Sequence, residues 1–163
     1  MRDIRLLAEP FAPYALVDDF TQAHPGLGGA CTFVGKVRGE EGVEALELTH
    51  YEPLTLPGME NLADRAFARF DLMGLIMVHR VGLMRPGEPI VCVSAAARHR
   101  RAAFEATDFC MDHLKSAAWF WKREKRATVN GGEWRWIEPR DEDHADLARW
   151  SDEGTVARKN SPV

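Results

Sequence analysis

Residues 90–124 read IVCVSAAARHRRAAFEATDFCMDHLKSAAWFWKRE and contain three successive patterns of apolar spacing. Residues 90–97 are almost all small or apolar, which predicts a buried strand. Residues 98–118 predict a half-buried helix, because their apolar side chains recur at the spacing of one helix face. The apolar face consists of Ala103, Ala106, Cys110, Leu114 and Ala117, and the polar face of Arg101, Glu105, Asp108, Asp112 and Ser116. Residues 119–124 return to a strand pattern.

The rest of the chain adds strands, helices and turns to this unit. Apolar runs predict further strands at residues 4–7, 30–38, 43–51, 75–84 and 133–138. Amphipathic spacing predicts helices at residues 13–20, 57–70 and 141–150, and Pro57 suits the first position of the second helix. The Arg85-Pro86-Gly87-Glu88-Pro89 segment predicts a hairpin turn. We therefore expect an α+β fold, in which a mixed or antiparallel sheet with hairpins packs against amphipathic helices.

Composition limits the number of domains and the classes of function. The 163 residues are 45% hydrophobic, which is sufficient for one core, so we expect one domain at residues 1–150 and a disordered tail at residues 151–163. The net charge of −4 gives no general attraction to nucleic acid or to anionic lipid. No signal peptide or membrane span is evident, and Cys31, Cys92 and Cys110 lie in apolar contexts typical of free thiols. We expect a cytoplasmic protein that binds neither nucleic acid nor a membrane.

The long predicted helix begins with positive charges. The Arg98-His99-Arg100-Arg101 segment opposes the helix dipole, at a cost of about 0.3–1 kcal/mol per exposed charge. One interpretation is a solvated basic turn that Glu105 and Asp108 offset. The other is that an anion completes the site, because free backbone N–H groups and guanidinium groups both bind phosphate well.

Two further basic segments are weak evidence on their own. Lys115, Lys122, Arg123, Lys125 and Arg126 are interleaved with Trp119, Phe120 and Trp121. Such a combination can bind single-stranded nucleic acid, although core aromatics beside a solvated basic face explain it equally well. Lys36 and Arg38 alternate onto one face of the strand predicted at residues 30–38.

Short motifs recur in one unbroken order over about residues 28–150. They are Gly28-Gly29, Thr32-Phe33-Val34-Gly35-Lys36-Val37-Arg38, His50-Tyr51, Pro57-Gly58-Met59-Glu60, Val78-His79-Arg80-Val81-Gly82, Pro86-Gly87-Glu88, His99-Arg100, Ala103-Phe104-Glu105, Met111-Asp112, Leu114-Lys115 and Phe120-Trp121-Lys122-Arg123-Glu124. Together they resemble the large, catalytic subunits of molybdopterin synthase. The chain departs from that family in residues 52–56, which lengthen one connection, in the short loop 39–42, and in Trp119, where proline is common.

The resemblance implies a hammerhead-like α/β fold and a sulfur-transfer reaction. Such a subunit forms a homodimer within a heterotetramer, with two copies of a small ubiquitin-like carrier that ends in a Gly-Gly thiocarboxylate. The substrate is the cyclic pyranopterin monophosphate precursor Z, and the product is molybdopterin, which carries a dithiolene. No cofactor is expected, because the pterin is the substrate and the carrier supplies the sulfur.

The resemblance also implies a site. Substrate-binding residues would be Lys36, Val37, Arg38, His99, Arg100, Lys115, Lys122, Arg123 and Glu124, with Phe33 and Met111 as apolar neighbours and with Lys115 and Lys122 as catalytic residues. A lysine that is crowded by other cations or partly desolvated has a pKa below about 10.4, which eases proton transfer at neutral pH. We expect Lys115, at the border of the apolar helix face, to have this central role.

Other classes of function remain open at this point. The protein could carry sulfur as a persulfide on a cysteine, bind nucleic acid through its basic and aromatic segment, or bind a ubiquitin-like protein without catalysis. No metal is expected, because His50, His79 and His113 lack metal-ligand spacing and suit structural or surface positions. The main expectation is that positive side chains from separated segments meet in one cavity.

Overall fold

A computed structural model describes residues 1–117, 119–129, 131–138 and 140–150. The tail predicted to be disordered at residues 151–163 lies outside the described residues. The strands are β1 (Arg2–Leu7), β2 (Gly29–Lys36), β3 (Val43–His50), β4 (Leu72–Arg80), β5 (Gly82–Met84), β6 (Pro89–Ala97), β7 (Phe120–Arg126) and β8 (Glu133–Ile137). The α-helices are α1 (Pro13–Gln22), α2 (Glu52–Arg69), α3 (Arg100–Ser116) and α4 (Asp141–Ala148), and a short 3₁₀ helix spans Glu40–Gly42.

The strands form two four-stranded sheets. The first has the order β1-β4-β6-β2, in which only the β1–β4 pair is parallel. The second has the order β5-β3-β7-β8 and is antiparallel throughout. The expected α+β class is therefore confirmed. No helix within the described ranges is long and apolar enough to cross a membrane.

Both faces of the first sheet are covered by helices. Alternate residues of a strand point to opposite faces, and each set packs in a different core. Leu75 and Met77 of β4 belong to a core that is shared with α2 and α3. Ile76 and Val78 pack instead with Phe20 of α1. A smaller core around Leu46 and Leu48 of β3, Val37 and Met84 joins the second sheet to the first.

The apolar run at residues 75–84 is two strands rather than one. The N–H of Val81 donates to the carbonyl of Leu7, and Gly82 has a φ of 83°, so the chain turns there. β5 then pairs with β3 in the second sheet. The two predicted runs do pair, as β4 with the antiparallel β6, but the turn at residues 85–89 joins β6 to β5 of the other sheet and is not a tight hairpin turn.

Helix α2 begins earlier than its sequence suggests. It starts at Glu52, so residues 52–56 form its first turns and Pro57 lies inside it rather than at its first position. The hydroxyl of Thr55 donates to the carbonyls of Tyr51 and Trp119, which fixes this extension to the start of β7. The residues that lengthen the connection are therefore a helical extension.

Helix α3 buries the face that its apolar spacing predicts, with two exceptions, the first being Ala117, which lies just beyond the helix and is half-buried. Ala103, Ala106, Cys110 and Leu114 are buried. Asp112, which we placed on the polar face, is also buried, because α4 packs over it. Its Oδ2 accepts hydrogen bonds from Nη2 of Arg149 at 2.5 Å and from Nε1 of Trp150 at 2.7 Å. One charged and one neutral donor from a distant segment thus satisfy the buried carboxylate.

Candidate functional site

A cavity of about 530 Å³ lies between β2, α3 and the α4 segment. This volume is within the range of small-molecule sites. Phe33, Met111 and Lys115, which were all predicted for the site, line this cavity. Its other lining residues are Cys31, Thr32, Arg101, Phe104, Glu105, Thr107, Asp108, Asp112, Asp143 and Asp146.

Strand β2 and helix α3 run in the same direction along this cavity. At their first residues, a Cβ built on Gly29 would lie 3.8 Å from the Cα of Arg100. Further along, the hydroxyl of Thr107 donates to the carbonyl of Cys31 at 3.0 Å. The end of α3 that carries Lys115 therefore lies toward the end of β2, beyond which the chain continues to Arg38.

Three predicted cations form a group at this end, which we call the cation cluster: Arg38, Lys115 and Lys122. The pKa of Lys122 is lowered, chiefly because surrounding protein removes part of its hydration. Glu124 acts in the opposite direction, while repulsion from Lys115, Arg38 and Arg140 lowers the pKa further. Lys122 is exposed overall, so the loss of hydration is partial. It releases a proton at lower pH than an ordinary lysine.

Lys115 lies in the last turn of α3, where a positive charge is favoured by the helix dipole. Both Lys115 and Lys122 are exposed overall, so exposure does not distinguish them, and the central role expected of Lys115 stays a prediction. Lys122 stands on β7 directly opposite the buried Leu48, whereas Lys115 lies near the end of α3 at the rim of the cavity.

His99 and Arg100 lie at the other end of α3. His99 is the exposed N-cap residue of the helix, and the described residues show no side-chain hydrogen bond that caps it. At 1.5 Å per residue, Arg100 is about 22 Å along the helix axis from Lys115. One chain therefore does not bring His99 and Arg100 together with the cation cluster.

Lys36 and Val37 adjoin Arg38 but are placed differently. Lys36 is the exposed last residue of β2, so Arg38 lies just beyond the strand rather than within it. The Val37 side chain is buried in the core between the sheets, and both its N–H and its carbonyl are hydrogen-bonded to the turn at residues 85–88. Val37 anchors this segment from within the core.

Arg123 and Glu124 point to opposite faces of β7, as successive residues of a strand do. Glu124 is on the side of Lys122, and its Oε2 pairs with Nη2 of Arg126 at 3.0 Å. Arg123 pairs with Glu47, and its guanidinium lies 4.6 Å from the ring centre of Trp134. Arg123 is thus engaged on the outer face of the second sheet, away from the cation cluster.

Arg140 was not among the residues that the sequence predicted for the site. It precedes α4, where its N–H donates to Oδ2 of Asp143 at 3.1 Å, and Asp143 lines the cavity. Arg140 is close enough to Lys122 to lower its pKa. No motif marks Arg140, and the only available signal was its place between a predicted strand and a predicted helix.

Two of the histidines considered as metal ligands, His79 and His113, fill structural positions. His79 is buried and stacks on Phe120 with ring centres 4.2 Å apart, and burial lowers its pKa to about 4. His113 donates from Nδ1 to the carbonyl of Phe109, and burial lowers its pKa as well. Within the described ranges, no three His, Cys, Asp or Glu residues are grouped as metal ligands.

Two of the cysteines are buried thiols. Burial raises the pKa of Cys92 to about 11 and that of Cys110 to about 12, so both are protonated at neutral pH. A protonated thiol is a poor nucleophile, so neither is suited to carry a persulfide. Cys31 is half-buried and lines the cavity.

Known proteins are similar to this chain over nearly its whole length. The family model described as "MoaE protein" matches residues 6–117. The molybdopterin synthase catalytic subunit of Caulobacter vibrioides is 45% identical over 152 residues, which are 92% of this chain and 98% of the relative. The subunit of the same name from Brucella melitensis is 41% identical over 150 residues, with 91% of each chain covered.

Solved structures show the same fold. The "Molybdopterin biosynthesis MoaE protein" from Burkholderia ambifaria has a TM-score of 0.76 and 39% identity, with 94% of this chain and 100% of that chain covered. A complex of subunits 1 and 2 of molybdopterin-converting factor from Helicobacter pylori contains a chain with a TM-score of 0.68 and 21% identity, over 85% of this chain and 90% of that one. The latter similarity concerns the fold alone.

Proposed function

The chain belongs to the MoaE protein family, and from this we propose that it is the catalytic subunit of a molybdopterin synthase. It transfers sulfur in molybdenum cofactor biosynthesis and converts precursor Z into molybdopterin. The observation that carries this proposal is the cation cluster of Arg38, Lys115 and Lys122 beside a cavity that Phe33 and Met111 line. Cations suit the cyclic phosphate, and the apolar side chains suit the pterin rings.

We assign the proton-transfer step to Lys122. Replacing oxygen with sulfur requires a proton on each leaving oxygen, and a general acid works best when its pKa is near the working pH. The lowered pKa of Lys122 supports this role. Lys115, at the rim of the cavity, stabilises negative charge in the addition intermediates. Arg38 holds the phosphate, since a guanidinium is always charged and can donate two parallel hydrogen bonds.

A second copy of the chain completes this site. His99 and Arg100 match the family motif, yet they lie about 22 Å along α3 from Lys115. A symmetric dimer can place the first turn of one α3 beside the last turn of the other, and homodimers of this symmetry are common. In that arrangement His99 and Arg100 of one copy bind the phosphate in the site of the other.

Sulfur arrives on a small ubiquitin-like carrier subunit, whose C-terminal Gly-Gly thiocarboxylate enters the cavity and leaves as a carboxylate. Two carriers and two copies of this chain make a heterotetramer. No cofactor or metal takes part, because the carrier supplies the sulfur. We place the reaction in the cytoplasm, which agrees with the free thiols Cys92 and Cys110.

The test is reconstitution from purified components. Mixing the chain with thiocarboxylated carrier and precursor Z should yield the dithiolene product, and carrier with an ordinary carboxylate should yield none. Binding of the carrier without any product would indicate a non-catalytic partner instead. Loss of turnover in Cys31→Ser would favour a persulfide on the cysteine that lines the cavity.

A further inference from the structure

Arg80, at the end of β4, is a buried cation outside the site described above. Its side chain is 3% exposed. Nη1 donates to Oε2 of Glu88 at 3.1 Å, and within the described residues Nε has no hydrogen-bond partner. Burial of an arginine with only part of its donors satisfied is unfavourable. In some proteins a buried ion pair fixes a local geometry, and the contacts of Glu88 show which geometry Arg80 can fix here.

Glu88 connects Arg80 to a tight turn. The carboxylate oxygen that pairs with Arg80 also accepts the backbone N–H of Arg85 at 3.0 Å, and the N–H of Glu88 donates to the carbonyl of Arg85 at 3.1 Å. The N–H of Arg85 and, after it, the Arg80 guanidinium keep the pKa of Glu88 below its usual value, so the pair is charged at neutral pH. Gly87 has a φ of 88°, which only glycine adopts readily.

This turn contacts the residues on both sides of Arg38. The N–H of Val37 donates to the carbonyl of Glu88 at 3.0 Å, and the N–H of Gly87 donates to the carbonyl of Val37 at 2.9 Å. On the other side, a Cβ added to Gly39 would lie only 3.1 Å from the Cβ of Pro86. The backbone that carries Arg38 is thus held before and after it, while the Arg38 side chain remains exposed.

We propose that Arg80 and Glu88 are positioning residues that hold Arg38 in the cation cluster through the turn at residues 85–88. The inference rests on the proposed function, because it assigns a task to Arg38. Neither Arg80 nor Glu88 contacts the substrate. Arg80 restrains the Glu88 carboxylate, Glu88 closes the turn, and the turn fixes the backbone at Val37 and Gly39.

A double-mutant cycle tests this connection. The kcat/KM for precursor Z is measured with thiocarboxylated carrier in the wild type, Glu88→Ala, Arg38→Ala and the double variant. Glu88→Ala should lower kcat/KM about 10-fold, since misplacement of a binding group by about 1 Å can cost up to 100-fold. In the Arg38→Ala background the same change should cost less than about 2-fold, because the group that Glu88 positions is gone.

Equal losses in both backgrounds, or no loss from Glu88→Ala in the wild-type background, would overturn the inference. A result against the proposed function itself would be different, because Arg38→Ala would then keep wild-type activity. Glu88→Gln serves if Glu88→Ala does not fold, because it keeps an oxygen for the N–H of Arg85 but removes the charge opposite Arg80. Glu133→Ala is the matched control, since Glu133 pairs with Arg135 at 3.0 Å in an exposed hairpin and should leave kcat/KM unchanged.

Discussion

At the scale of single residues, the surrounding protein determines how far the pKa of a side chain departs from its ordinary value. Lys115 and Lys122 both match family motifs, and the sequence pointed to Lys115 because it borders an apolar helix face. Partial loss of hydration lowers the pKa of Lys122, which β7 places opposite the buried Leu48, and three nearby cations lower it further. Spacing along one helix does not report how a distant strand packs, so the sequence did not indicate that the pKa of Lys122 is lowered.

Lys122→Ala should lower kcat about 10²–10⁴-fold, the usual contribution of a general acid or base. The alkaline limb of the wild-type pH–rate profile should lie below about 10.4, the ordinary lysine value, because the pKa of Lys122 is lowered. Lys122→Arg should remove that limb. Lys125→Ala is the control, since Lys125 pairs with Glu44 at 3.1 Å. Activity of Lys122→Ala near that of the wild type would exclude the role.

His79 should make stability depend on pH. The folded chain resists protonation of this buried ring down to about pH 4, whereas an unfolded chain takes up the proton near pH 6.5. The free energy of unfolding should therefore fall by about 3 kcal/mol as the pH drops from about 6.5 to about 4. Denaturant unfolding of the wild type and of His79→Phe at several pH values checks this, and an identical pH dependence in both proteins would contradict it.

At the scale of elements, local spacing predicted the existence of helices and strands better than their ends or partners. The apolar face of α3 was predicted correctly, because helical periodicity alone determines it. The start of α2 was wrong, because Pro57 suits a first helical position and the contacts of Thr55 with residue 119 are not local. The β4–β5 break was also missed, since pairing with β3 is a tertiary event.

The buried Asp112 should hold α4 against α3. Asp112→Ala removes the acceptor of two hydrogen bonds from Arg149 and Trp150, so the free energy of unfolding should fall by about 1–3 kcal/mol. Backbone amides of α4 should exchange their hydrogens faster. Asp108→Ala provides the comparison, because Asp108 also pairs with Arg149 but is half exposed, and its loss should cost about 0.5 kcal/mol. Equal effects of the two variants would contradict this account.

At the scale of the whole molecule, the sequence predicted a set of site cations but not which copy of the chain supplies each of them. A resemblance to a family assigns roles to residues, but it does not give the distances between those residues. Helix geometry shows that Arg100 and Lys115 lie about 22 Å apart along α3. The central claim is therefore that one site takes Arg38, Lys115 and Lys122 from one copy, and His99 and Arg100 from the other.

Coexpression of Arg100→Ala and Lys115→Ala chains tests this claim most directly. Each variant alone should be nearly inactive in forming molybdopterin from precursor Z and thiocarboxylated carrier. In mixed dimers, one of the two sites combines an intact Lys115 with an intact Arg100 of the partner copy, so the coexpressed pair should recover about one quarter of wild-type activity. Activity no higher than that of the separate variants would contradict a site shared between two copies.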